Sequence, residues 1–441
     1  MAAARKRDAM GFGLAALTRL AGSSVIDRAG LRGPVQNLVK AGTRNGFRAA
    51  GAATRSFKSV RRLGKPARLA PAQEVTGLFD LTPSEDQQLI VETVTEFAAE
   101  QLRPAAADAD AKLAAPEGLL TRAAELGISL VGIPEELGGA GTERSVVTNA
   151  LVAEALAHGD MGLAVAVLAP SAVSTALVAW GDEQQQADYV PAFAGDQVPA
   201  AALALLERTP LFDPFKPATK AKRTPKGYQL DGVKSLVPRA AEAELFLVSA
   251  DLEGRGPALF LVESSSAGVT VEAEPAMGLR GAATGKLHLE KVALPAGALL
   301  GGGKADVFTE VVRLSRLGWA ALAAGTAKAV LDYVVPYVNE RTAFGEPISH
   351  RQAVAFSVAD IAIELEGLRL VTLRAAARAE QGKDYAREAA LARKLAVDKG
   401  MRIGNAGVQL LGGHGFVKEH PVERWYRDLR AIGVMEGAVL L

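Results

Sequence analysis

Near the end of the chain a single carboxylate, Glu436, stands in apolar surroundings, with Val434-Met435 before it and Gly437-Ala438-Val439 after it. Burial disfavours the charged form of a carboxylate and raises its pKa toward neutrality, as a proton acceptor working on carbon requires. Gly437 has no side chain and lets a ligand approach the backbone closely. The plainer alternative is a partly exposed glutamate on a terminal helix. Upstream, Arg341 is followed by Phe344-Gly345 and by Gln352. A guanidinium suits phosphate because its fork of donors meets two oxygens at once; a surface arginine paired with Glu340 or Glu346 has the same sequence. Gln409 precedes Gly412-Gly413-His414-Gly415. Such glycines bring the backbone close to a cofactor, or simply cap a helix.

Three kinds of segment must position these groups. From about 76 to 198 apolar residues recur at helical spacing. Thr82-Pro83-Ser84-Glu85-Asp86-Gln87 opens that region with a capping box, Ser84 with Gln87, and Gly138-Gly139-Ala140-Gly141 marks a loop between helices. From 199 to 303 the pattern shortens to strand-length runs separated by turn residues, among them 201–206, 228–233, 244–250, 258–262, 269–274 and 286–292. These predict a small antiparallel β domain. From 304 to 441 the helical period returns in four long segments, 307–341, 350–381, 385–411 and 421 to the end, which predict a four-helix bundle. The fold class is α+β, mostly α.

Composition narrows the function. The 441 residues carry 50 Lys and Arg against 49 Asp and Glu, so no overall charge draws the chain to nucleic acid. There is no cysteine, which excludes disulfides, thiolate metal sites and a cysteine nucleophile. The five histidines lack metal-site spacing, so no metal is expected. No stretch is expected to reach the ~18 uncharged apolar residues of a membrane span. The charge is unevenly spread, however. Up to residue 72 the only acids are Asp8 and Asp27, amid fifteen Lys and Arg and interleaved leucines and valines. Residues 1–75 therefore predict a basic amphipathic extension suited to an anionic membrane surface; a flexible basic tail or an organelle transit peptide are the alternatives. The expected location is the cytoplasm, at the inner face of the membrane, or else a mitochondrial matrix.

The order helical domain, small β domain, helical bundle resembles the acyl-CoA dehydrogenase family. Local motifs agree with it: Gly132-Ile133-Pro134-Glu135-Glu136-Leu137-Gly138-Gly139, Gly181-Asp182-Glu183-Gln184-Gln185, Met277-Gly278-Leu279-Arg280-Gly281, Arg341 to Ile348, Val408 to Phe416, and Arg427-Asp428 ahead of Glu436-Gly437. The resemblance runs from about residue 80 to the end. It implies FAD-dependent α,β-dehydrogenation of a fatty acyl-CoA to the trans-2-enoyl-CoA, with Glu436 as the base and electrons passing to an electron-transfer flavoprotein. It also implies a homodimer or homotetramer in which Arg341, Phe344, Gln352, Gln409, Gly412 and Gly413 meet the diphosphate and adenosine of FAD. Arg316, by the same resemblance, lies near the CoA end of the pocket with Gly437 beside the substrate; lining the outer face of its helix is the alternative. Arg313, where relatives often have an acid, is a second cation that could suit CoA's phosphates.

The middle domain departs from that pattern. Leu206, Val237 and Pro238 stand where the resemblance places residues against the flavin ring, and Leu206, Leu236 and Pro238 replace a hydroxyl, an aromatic platform and a donor-bearing residue. Proline has no N–H to offer, and each hydrogen bond lost from a buried polar group costs on the order of 1–3 kcal/mol. After Glu436-Gly437 the family has a threonine and a further helix, whereas here Ala438 is followed by three residues. A catalytically weak or inactive subunit, partnering an active homologue or a lipid complex, is the alternative expectation.

Overall fold

The computed structural model describes residues 81–139, 144–195 and 197–441. The basic extension of residues 1–75 and Ala140-Gly141 of the glycine loop lie outside them. Among the described residues six helices come first: α1 Glu85–Phe97, α2 Arg103–Lys112, α3 Leu119–Glu125, α4 Val146–Gly159, α5 Met161–Trp180 and α6 Glu183–Phe193, with a π-helical turn at Ala98–Leu102. The expected capping box starts α1: the Gln87 N–H donates to Ser84 Oγ at 3.2 Å and the Ser84 N–H to Gln87 Oε1 at 3.0 Å. Asp160 and Asp182 cap α5 and α6 in the same way, accepting from Leu163 and Gln185 N–H groups.

Helix α5 corrects the expectation that no stretch could cross a membrane. Its 20 residues carry no charge, have a mean hydropathy of 1.9, and pass that test of length and composition. They lie 89% buried inside the protein, however, as the central helix of the core.

Seven strands follow among the described residues. β1 Ala201–Ala204, β2 Lys220–Thr224, β3 Gly227–Val237, β4 Leu245–Leu252, β5 Gly256–Glu263, β6 Val269–Ala273 and β7 Gly285–Pro295 form one seven-stranded sheet. β2–β3, β3–β7, β4–β5 and β6–β7 are antiparallel as expected, but β4 runs parallel to both β1 and β2. Strand β2 was not foreseen. Lys-Ala-Lys-Arg-Thr buries only Ala221, so hydropathy gives no alternation to read. β3 slips register twice against β7, the second time between Lys234 and Val237, where Leu236 takes φ 50°.

The bundle consists of α7 Ala305–Glu340, the hairpin β8 Thr342–Ala343 with β9 Glu346–Pro347, then α8 Gln352–Glu380, α9 Ala386–Leu410 and α10 Val422–Ala431. Gly325 lets α7 press against α4, since a Cβ there would lie 2.0 Å from the Glu154 carbonyl oxygen. The last helix ends ten residues sooner than expected. Gly437 (φ 78°) and Ala438 (φ 68°) hold left-handed backbone. The chain there bridges β1: Gly437 pairs with Ala204, and the Ala438 N–H donates to the Leu203 carbonyl at 3.0 Å.

Candidate active site

This bridge decides where Glu436 goes. The turn after α10 carries it to the end of β1, with α7 and α9 alongside, and leaves its side chain only 8% exposed. Burial of an unpaired charge would be costly, and the charge is paired. Arg316 Nε lies 3.1 Å from both carboxylate oxygens and Nη2 lies 2.8 Å from Oε1. Arg393 on α9 adds a second cation at 3.5 Å and donates to the Met435 carbonyl at 2.7 Å. Burial pushes the Arg393 guanidinium below its usual pKa, Glu436 pulls it back up and Arg316 adds to the lowering. Arg316 therefore does not simply line an outer helix face; it grips the carboxylate. Arg313 is turned elsewhere, pairing with Glu310 at 3.6 Å and lying over the Tyr385 ring.

The peptide after the carboxylate is equally fixed. Ser315 Oγ and Trp319 Nε1 both donate to the Gly437 carbonyl, at 3.0 and 2.8 Å. On the face where a Cβ would stand, Gly437 is closed by Leu205. A Cβ there would lie 2.8 Å from Leu205 Cγ, so glycine is required by packing against the end of β1. No backbone carbonyl among the described residues accepts from the Glu436 N–H.

Across from Glu436 lies the strap formed by the residues after β1 and the end of β3. Its polar groups are satisfied internally. Lys234, fully buried, donates to Glu207 at 2.7 Å and to Ser249 Oγ at 2.8 Å. Burial pushes its pKa down to about 8 against the pull of Glu207. Burial would raise the Glu207 pKa, but the Lys234 charge and hydrogen bonds from Lys234 and Thr219 bring it below the usual carboxylate value. The Ser235 N–H donates to the Leu206 carbonyl at 2.9 Å, and the Leu236 N–H to Glu274 at 2.8 Å. Leu206, Val237 and Pro238 are buried among protein groups. Half-buried Leu236 lines a cavity of about 100 Å³ with Val434 and Met435, well below the ~300–1,000 Å³ of ligand-sized pockets. The flavin-ring side therefore does not offer the fit that the opposite end of the site offers.

At that opposite end the expected residues face outward. Arg341, Gln352, Gln409, Gly412 and Gly413 are exposed, and Phe344 is 96% exposed. The two glycines have nothing within 4 Å of where a Cβ would stand. Tyr337, one turn before Arg341, reaches the Leu411 carbonyl at 3.4 Å and His414 Nδ1 at 2.8 Å, which joins the end of α7 to the glycine turn. Arg351 lies over the Phe344 ring at 5.7 Å. Free donors and an open glycine surface fit a nucleotide and its diphosphate.

Arg427-Asp428 acts as a joint between all three parts. Arg427 pairs with Asp110 of α2 at 2.7 and 3.0 Å and donates to the Met277 carbonyl at 2.9 Å, while Asp428 accepts from the Leu279 N–H at 2.6 Å. Burial, reinforced by the nearby Asp160 charge, pushes the Asp428 pKa up to about 8. Asp160 is itself held by Arg424 at 3.1 Å. Sequence reasoning missed Arg393, Trp319, Lys234 and Asp110. Only Lys234 left a signal, as a lysine on the inward face of a strand.

Comparison with known proteins gives this architecture its class, flavoprotein oxidoreductases acting on CH–CH bonds. The chain belongs to the acyl-CoA dehydrogenase family: the N-terminal, middle and C-terminal domains of that family match residues 84–197, 202–292 and 305–439. It is 32% identical over 362 residues to the human mitochondrial short-chain specific acyl-CoA dehydrogenase, covering 80% of this chain and 87% of that protein. Butyryl-CoA dehydrogenase from Megasphaera elsdenii superposes with a TM-score of 0.75 at 28% identity, over 81% of this chain and 95% of that one. A chain from the structure described as the electron transferring flavoprotein of Acidaminococcus fermentans gives the same TM-score and coverage at 30% identity. The family is flavin-dependent, and FAD is its cofactor.

Proposed function

We propose that the protein dehydrogenates acyl-CoA thioesters at the α,β bond, with Glu436 taking the α-proton. The observation that carries this reading is a carboxylate buried at the end of β1 and held by two guanidiniums. FAD, when bound, supplies the hydride acceptor. Arg341, Phe344, Gln352, Gln409 and the Gly412-Gly413 turn would hold its diphosphate and adenosine, and the Glu436 N–H is available to a thioester oxygen as an oxyanion-type donor. Arg316 holds both carboxylate oxygens, so a substrate must draw Glu436 out of that pair before it can act. The likeness to the Acidaminococcus structure supports an electron-transfer flavoprotein as the acceptor of the electrons. Exposed Phe344, Phe356, Ile363 and Phe416 suit contact with a second copy, as a homodimer or homotetramer requires.

The test is anaerobic bleaching of bound FAD by an acyl-CoA. Glu436→Gln should slow it by about 10²–10⁴-fold; undiminished bleaching would overturn the assignment. A second reading, a non-catalytic subunit of this fold, is favoured by the internally satisfied strap at Leu206 and Leu236–Pro238. A preparation that stays colourless with added FAD would support it. We also propose cytoplasmic action at the inner membrane face through residues 1–75; equal sedimentation with anionic liposomes after their removal would refute this.

A further inference from the structure

A second cavity lies between the helical part and the sheet, with a volume of about 370 Å³. That falls within the ~300–1,000 Å³ of ligand-sized pockets. One wall is α3, the short 3₁₀ turn Ile128–Leu130 and α5; the other is the chain entering β1 at Gln197-Val198 and leaving β3 at Arg239. It shares no lining residue with the cavity beside Leu236 and Met435. Most of its lining is apolar, including Leu120, Ala123, Ala124, Ile128, Val167 and Val198. Two polar side chains interrupt that lining. Ser129 is only 7% exposed, and among the described residues nothing hydrogen-bonds to its hydroxyl. A buried hydroxyl without a partner is costly unless a ligand supplies one. Arg239 is held in left-handed backbone, φ 49°, that is unfavourable for a side-chain-bearing residue. Its N–H donates to the Ala282 carbonyl at 2.9 Å, and its own carbonyl accepts from the Glu242 and Ala243 N–H groups at 3.0 Å each. The Arg239 side chain is 13% exposed and its only carboxylate partner, Glu242, is 52% exposed. Both guanidinium bonds, at 3.2 and 2.9 Å, go to a single oxygen of Glu242. An ion pair with so exposed a partner is weak.

We propose that this cavity is a binding site for a small amphipathic anion, a monocarboxylate whose apolar body fills the space and whose carboxylate pairs with Arg239. A guanidinium meets two carboxylate oxygens at once and can exchange its surface partner for the ligand. The Ser129 hydroxyl is available to a polar atom of the bound molecule. One cation neutralises one negative charge, and the apolar lining disfavours any charge left over, so a monoanion fits better than a dianion. The site stands apart from Glu436 and does not depend on acyl-CoA chemistry.

Calorimetric titration of the full-length protein with octanoate, with octanol and with inorganic phosphate separates the charge from the apolar body. Octanoate should bind at least about tenfold more tightly than either of the others. Arg239→Gln should weaken octanoate binding by about 10–100-fold, the worth of a hydrogen bond to a charged group. Glu242→Gln, at an exposed position, should tighten it by up to about fivefold by releasing the guanidinium from its surface pair. Ala124→Phe, which fills the cavity, should abolish binding, and Glu436→Gln should leave it unchanged. Each variant is first melted to check for a cooperative fold. Absence of octanoate binding by the wild-type protein overturns the proposal whether or not any variant folds, and so does equal binding of octanol or phosphate. Unchanged octanoate affinity in a folded Arg239→Gln or Ala124→Phe protein overturns it as well; if neither folds, unchanged affinity in Glu242→Gln does so. Loss of binding in Glu436→Gln would place octanoate at the other site and refute this one.

Discussion

The two ends of the cofactor region differ in where their polar groups point. At the adenosine end, Arg341, Gln352 and Gln409 face solvent, and the Gly412-Gly413 turn has open space above it. At the ring end, the N–H groups of Ser235 and Leu236 and the ammonium of Lys234 are all spent on protein acceptors. The first region leaves its donors exposed and the second satisfies its own. Family resemblance in a stretch of sequence therefore says little about whether its hydrogen-bonding capacity remains available.

The contrast can be broken most severely at Lys234. Lys234→Met strands Glu207 in the β-domain core, and leaving a buried charge unpaired costs about 3–5 kcal/mol. A melting temperature within a few degrees of the wild-type value would show that the strap does not hold itself together through this pair. Arg341→Ala tests the other end. Loss of a hydrogen bond to a charged partner is worth roughly 1.5–3 kcal/mol, so FAD titration should show about 10–100-fold weaker binding with an unchanged melt of the FAD-free protein. No change in affinity would remove Arg341 from the cofactor site. The smallest effect is expected from Leu206→Thr, which returns a hydroxyl to the ring end. One regained neutral hydrogen bond of about 1 kcal/mol should tighten FAD binding by less than tenfold. Weaker binding in this variant would mean that the ring end does not contact the flavin through position 206.

Much of the scaffold was legible in the chain. The Ser84–Gln87 cap, the shift from helical to strand-length runs near 199 and the return of long helices after 304 follow from local periodicity and capping chemistry, and the structure reproduces them. Misreadings occurred where local pattern and environment part company. Strand β2 lies between β4 and β3 and buries only one residue, so no alternation announces it. Helix α5 has the composition of a membrane span but lies enclosed by protein. The region after Ala431 is helical in composition, yet Gly437 and Ala438 turn it onto β1.

By itself the sequence determined the order of the three parts and the family, and it singled out the candidate groups: a carboxylate in an apolar run, an arginine with its aromatic and glutamine companions, and a glycine turn. Those follow from residue type and short-range spacing. Tertiary structure alone decided what each group faces. Arg316 and Arg393 come from two helices far apart in the chain to meet Glu436, Trp319 ties down the peptide after it, and Gly437 packs against Leu205. Pairing and enclosure are long-range properties, set by which elements pack together, and no local pattern encodes them.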